Sequence, residues 1–113
     1  MEKIFGMPVA VVYGHYLSKI LRKGQSQEDL DKVIGWLTGF EPAELHQRLD
    51  SGITFTEFFD AATLNPNAPL ITGVICGVRI EEIQDPLMQK IRYMDKIVDE
   101  LGKGRAMEKI LRS

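Results

Sequence analysis

Apolar residues recur at helical spacing along most of this chain, and glycine or proline interrupts the rhythm every dozen residues or so. A sequence written this way favours several short amphipathic helices joined by tight turns over a sheet or one long coil. From Pro8 to Lys23 the apolar set is Val9, Val12, Tyr13, Tyr16, Leu17, Ile20 and Leu21, with Pro8 suited to a first turn and Gly24 to a stop. Ser26 with Asp29 forms an acidic variant of the capping box, and Leu30, Val33, Ile34 and Leu37 make one stripe that Gly39 closes. Pro42 opens a thinner helix with Ala43, Leu45 and Leu49, ended by Gly52. Thr54 and Glu57 form a capping box for a fourth helix, with Ile53 and Phe58 placed as a hydrophobic staple and Phe55, Phe58, Phe59 and Ala62 on one face.

The second half is less uniform. Thr63 to Pro69, with two prolines and two asparagines, reads as a loop. Leu70 to Ile80 is ambiguous: Ile71, Val74, Ile75 and Val78 fit a helix, whereas Val74, Cys76, Val78 and Ile80 alternate like a strand. Helix is the expected state, because no other segment offers a partner strand. Asp85 and Pro86 open a long helix whose Leu87, Ile91, Met94, Val98 and Leu101 face the core, stopping at Gly102 or Gly104. Arg105 to Arg112 can add a further turn or two. The expected fold is therefore all-α, about five helices in one compact domain over residues 1–113.

Residues 35–49 (GWLTGFEPAELHQRL) and 73–87 (GVICGVRIEEIQDPL) align without a gap at an offset of 38 residues, matching Gly35 with Gly73, Gly39 with Gly77 and Leu45 with Ile83. The pairing suggests a weak internal repeat of two helix-turn-helix-like units. Such a unit also occurs in DNA-binding proteins. Charge argues against that use here, since Glu41, Glu44 and Asp50 accompany only Arg48 after Gly39, and Glu81, Glu82 and Asp85 accompany only Arg79 after Gly77.

Composition narrows the compartment and the partners. The 113 residues are 44% hydrophobic and 27% charged, enough to bury one core, and no apolar run approaches the roughly 20 residues of a membrane span. The single cysteine, Cys76, excludes an internal disulfide, so a reducing cytoplasm is the expected location. A net charge of -2 gives no general attraction to phosphate, and nucleic acid is not an expected partner. No membrane association is expected either.

The densest polar set is Arg79, Glu81, Glu82, Asp85, Arg92, Asp95, Lys96 and Asp99. Carboxylates beside arginines can act as acid and base if burial shifts their pKa values, and Arg79, Glu81, Glu82, Asp85, Arg92 and Asp95 are the catalytic candidates if the chain is an enzyme. The simpler reading is an ion-paired, solvated helix face. His15 and His46 have no spacing that requires a metal, Cys76 within its apolar run is expected to be buried and inert, and Gly73 and Gly77 do not form a phosphate loop. No metal and no cofactor are called for. The aromatic residues Tyr13, Tyr16, Trp36, Phe55, Phe58 and Phe59 are expected in the core, with Trp36 at its edge.

The segments WLTGF (36–40), ITGVICGVRIEEIQDPLM (71–88), IRYMDKIVDEL (91–101) and KGRAMEKILR (103–112), with the opening MEKIFGMPVAVVYGHY, resemble the bacterial family known as domain of unknown function 2200. The likeness covers nearly the whole chain. It implies a stand-alone bacterial cytoplasmic protein and supplies no catalytic residue. The leading reading is a non-enzymatic interaction or oligomerisation domain, a homo-oligomer, because Met88, Tyr93, Met94 and Ile97 make the apolar face of the long helix wider than one small core needs. The alternatives are an enzyme at the charged cluster and a helix-turn-helix DNA binder.

Overall fold

The computed structural model describes residues 2–112. Its helices are α1 (Val9–Arg22), α2 (Gln27–Thr38), α3 (Pro42–Asp50), α4 (Phe55–Ala61), α5 (Pro86–Gly102) and α6 (Met107–Ile110), and its two short strands are β1 (Val74–Ile75) and β2 (Val78–Arg79). Single 3-10 turns occupy Lys3–Gly6, Ala68–Leu70 and Ile80–Glu82. The fold is all-α apart from this one hairpin.

The helix boundaries follow from side chains that satisfy the free backbone groups at helix ends. The Asp29 N–H donates to Ser26 Oγ at 3.1 Å. Thr54 and Glu57 complete a reciprocal capping box. The N–H groups of Leu87 and Met88 both donate to Asp85 Oδ1, at 2.9 and 3.0 Å. Gly39 takes the left-handed conformation at φ 79°, where a β-carbon would meet the Thr63 carbonyl at 3.2 Å. The loop after α4 then serves α2: the N–H groups of Thr63 and Asn65 donate to the Thr38 and Leu37 carbonyls, each at 2.9 Å.

α5 is the central helix and packs against α1, α2, α4, α6 and the hairpin. Leu30, Val33, Ile34 and Leu37 of α2 meet Ile91, Met94, Ile97, Val98 and Leu101 of α5, all buried. Each such side chain contributes about 1.5–3 kcal/mol when removed from water. Phe58 stands at the centre of an aromatic group, edge-on to Phe40 at 5.3 Å and to Phe59 at 5.2 Å. Trp36 is half-buried at the margin of this core.

Five expectations need correction. Residues 70–80 are not helical: β1 and β2 pair antiparallel, Ile75 with Val78 and Val74 with Arg79, so the segment supplies both of its own strands. The two loop residues, Cys76 and Gly77, have φ of 52° and 77°, the doubly left-handed geometry that tight hairpins favour because it matches strand twist. Consequently the second half of the proposed repeat is absent as a helical unit. Only α2, Gly39 and α3 form a helical corner. Cys76, expected buried, is exposed at the hairpin tip. Finally, the wide apolar face of α5 is covered within the chain, since Tyr93, Met94 and Ile97 are all buried; Leu21, assigned to the α1 stripe, is 54% exposed.

The turn geometry gives a pair of opposite effects. Gly77→Ala lowers stability by about 1 kcal/mol, because the conformation alone is strained and nothing lies within 4 Å of the added methyl. Cys76→Gly raises stability by a few tenths to about 1 kcal/mol by relieving the same strain one residue earlier. Urea denaturation of the two variants checks both signs, and a stabilising Gly77→Ala contradicts the hairpin.

Candidate functional site

α1 and α5 run side by side in the same direction, so Tyr16 stands opposite Asp95 and Lys19 opposite Asp99. The hairpin closes the seam between them into a groove of about 190 Å³, lined by His15, Tyr16, Lys19, Ile75, Cys76, Asp95, Val98 and Asp99. The Lys96 ammonium anchors the hairpin to α5 by donating to the Val74 carbonyl at 3.2 Å.

The groove is a chain of partnered charges. The Tyr16 hydroxyl donates to Asp95 Oδ1, and Arg92 Nη1 donates to Asp95 Oδ2 at 2.8 Å. Lys19 and Lys103 hold the two oxygens of Asp99 at 3.1 and 3.0 Å. Burial, then the neighbouring Asp95 carboxylate, pushes the Tyr16 phenol well above its ordinary range, so it stays protonated and donates. Burial alone would raise Asp99, but the hydrogen bonds and charges of Lys103 and Lys19 hold it below the usual carboxylate range. Its stabilising contribution is present at neutral pH and is lost as acid protonates it. Chemically the groove offers a phenol donor, a thiol on its rim and an imidazole, around carboxylates that already have cations.

The candidate charged cluster is divided three ways. Asp95 and Asp99 line the groove, and Arg92 pairs with Asp95. Arg79, Glu81 and Glu82 lie on or just after β2, exposed, with Arg79 3.9 Å from Glu81 and 3.8 Å from Glu82. Glu81 accepts the Gly73 N–H at 3.0 Å, the main reason its carboxyl is held low. Asp85 caps α5 at the far end of the helix from Asp99.

A second polar site was not anticipated. Asp31 of α2 is buried, accepting the Tyr13 hydroxyl at 2.5 Å and meeting His46 Nε2 of α3 at 2.7 Å. Gln27 donates to the Tyr13 oxygen at 3.1 Å, and the Tyr13 and His46 rings pack edge-on with centroids 5.6 Å apart. This network ties three helices together around one carboxylate. His46 and His15 thus serve different places, and among the described residues no three His, Cys, Asp or Glu side chains are grouped to hold a metal. No helix is long and apolar enough to cross a membrane among those residues.

Comparison with known proteins agrees with this architecture. The crystal structure of uncharacterized protein SP1917 is 45% identical, superposes with a TM-score of 0.91, and is matched over 98% of this chain and 93% of that one. No functionally curated protein matches the sequence. A family model described as an uncharacterized protein conserved in bacteria matches residues 3–112. The chain therefore belongs to that bacterial family, domain of unknown function 2200.

Proposed function

We propose that this protein is a non-enzymatic interaction domain of the bacterial cytoplasm that associates with copies of itself through the 70–79 segment. The observation that carries the reading is apolar exposure there: Leu70 is 59% exposed, Val74 51% and Val78 39%. Side chains alternate across a strand, so Val74 and Val78, which are not cross-strand partners, give the hairpin an apolar residue on each face. A two-stranded sheet is marginal alone and has free edges that accept another strand. Dispersal of the charged cluster, each groove carboxylate already neutralised, supports the absence of catalysis. The acidic α3, whose Arg48 is engaged by Glu44 at 3.0 Å and lies over the Phe40 ring at 4.8 Å, gives no support to DNA binding.

Sedimentation of the native chain and of Val74→Glu/Val78→Glu tests the proposal. The native chain shows a mass that rises with concentration, and the variant, still folded, associates at least tenfold more weakly; a native chain that is monomeric at every concentration overturns it.

One observation favours an enzyme as the second reading. Asp95 is half-buried beside Arg92 in a real groove, with Tyr16 and Cys76 at hand. On that reading, a panel of small polar metabolites includes one that raises the melting temperature of the native chain and not of Tyr16→Phe. A panel with no such compound removes the support.

A further inference from the structure

The parallel pairing of α1 with α5 places the C-terminal tip of α1 and the N-terminal end of α5 at opposite ends of the molecule, about 25 Å apart along a 17-residue helix. The two ends differ in chemistry. At the α1 tip, Leu21 is 54% exposed and is followed by two exposed cations, Arg22 and Lys23. At the other end a cleft of about 340 Å³ opens between α4, the N-terminal turn and α5. Its apolar lining is the half-buried Leu87 together with Phe5 and Phe59, which belong to the core and are only 7% and 4% exposed; Asp60 and Asp85 supply carboxylates, and Lys90 is its one cation. None of Arg22, Lys23, Asp60, Asp85 and Lys90 takes part in an ion pair among the described residues.

We propose that the cleft receives the α1 tip of a second copy, Leu21 against Leu87, and Arg22 and Lys23 beside Asp60 and Asp85. The inference deepens the self-association reading and rests on it, but it uses surfaces remote from the hairpin. A second copy is the occupant because this chain carries both halves of the match: an exposed leucine followed by two free cations, and a cleft where a half-buried leucine lies with two carboxylates that make no ion pair among the described residues. Neither surface complements itself, so the contact is heterologous and continues head to tail into a ring or a filament instead of closing as a two-fold dimer. Exposed ion pairs are individually weak, and the contact is accordingly reversible and sensitive to salt.

Lys90 makes the direction of the test unambiguous, since it repels the incoming tip while the two aspartates attract it. Sedimentation across a range of protein and salt concentrations is the measurement, on folded full-length variants of exposed and half-buried residues. Arg22→Glu/Lys23→Glu and Asp60→Lys each weaken association at least tenfold, whereas Lys90→Glu strengthens it, and added salt weakens the native contact. Mixing the first two variants restores association, because one keeps a working cleft, the other a working tip, and the two reversed surfaces again carry opposite charges. Association that is indifferent to these substitutions and disappears in Val74→Glu/Val78→Glu overturns the head-to-tail contact and leaves self-association through the hairpin standing. A native monomer at every concentration overturns both.

Discussion

Replacing Glu100 by leucine lowers stability by about 3–5 kcal/mol, the range for leaving a buried charge without its partner. Glu100 lies on α5 with its side chain only 8% exposed. Arg112 grips both of its oxygens, Nη1 to Oε1 at 2.7 Å and Nη2 to Oε2 at 2.8 Å, and Arg105 reaches Oε2 at 3.0 Å. The forked Arg112 contact is largely shielded, its side chain 14% exposed, so the leucine variant leaves a guanidinium with little access to water and only the Ile110 carbonyl, at 2.8 Å, as a partner. Arg105 is 44% exposed, and Arg105→Ala costs well under 1 kcal/mol because solvent takes over. The double variant Glu100→Leu/Arg112→Met loses less than Glu100→Leu alone, since both charges leave together. Chemical denaturation of the set gives the ordering. Equal losses for Glu100→Leu and Arg105→Ala show that the carboxylate is solvated and the account wrong. Against a total stability of about 5–15 kcal/mol for a domain of this size, the single change comes close to unfolding the chain.

The helix ends that could be read from sequence are those whose causes are local. Ser26 with Asp29, Thr54 with Glu57, Asp85 with Pro86, and Gly39 each act within four residues, and all are found in place. The hairpin escaped because its cause is equally local but chemically unusual. Tight turns of this geometry normally carry Asn-Gly or Asp-Gly, and here a cysteine takes the first left-handed position. The signal was present all the same: β-branched residues, Val74 and Ile75 before and Val78 after, flank two residues ending in glycine. The segment supplies both strands itself, so the lack of a partner strand elsewhere in the chain does not exclude a hairpin.

Sites were less legible than helices, because their members are distant in sequence. Tyr16 meets Asp95 across 79 positions, and Asp31 gathers Tyr13 and His46 from 18 and 15 positions away. Periodicity identifies Tyr13 and Tyr16 as inward-facing but says nothing about where a hydroxyl ends, and a buried hydroxyl needs a partner. The useful hint lay in Asp31 itself. It sits one residue after Leu30 and two before Val33, on the border of the α2 stripe, where an unpartnered carboxylate is expensive to bury. The Arg79 to Asp99 cluster failed as a unit for the complementary reason. It was continuous in sequence, but the hairpin, the helix cap and the groove send its members to three different surfaces.

The chain loses its fold in alkali, beginning near pH 10, because all three of its tyrosines keep their protons longer when folded than when unfolded. Burial raises each phenol first. Asp31 raises Tyr13 further, although Gln27 partly offsets it, and Asp95 does the same to Tyr16. Below the ordinary tyrosine pKa the protonated phenols are common to both states, and the native hydrogen bonds to Asp31 and Asp95 are fully present. Above it the unfolded chain gives up protons that the folded chain retains, so rising pH draws the equilibrium toward unfolding. Each phenol that behaves this way removes about 1.4 kcal/mol per pH unit until the folded group ionises as well. Tyrosinate absorbance and helical circular dichroism therefore change together in one cooperative step, with no earlier titration at ordinary tyrosine values. Tyr16→Phe separates the two contributions. At neutral pH it costs about 1–2 kcal/mol for the lost hydrogen bond to Asp95, and this deficit shrinks as pH rises, because the variant has one phenol fewer to ionise. A deficit that is constant from pH 7 to pH 11, or a Tyr13 or Tyr16 that titrates near pH 10 in the intact fold, contradicts the buried, carboxylate-bound phenols described for α1.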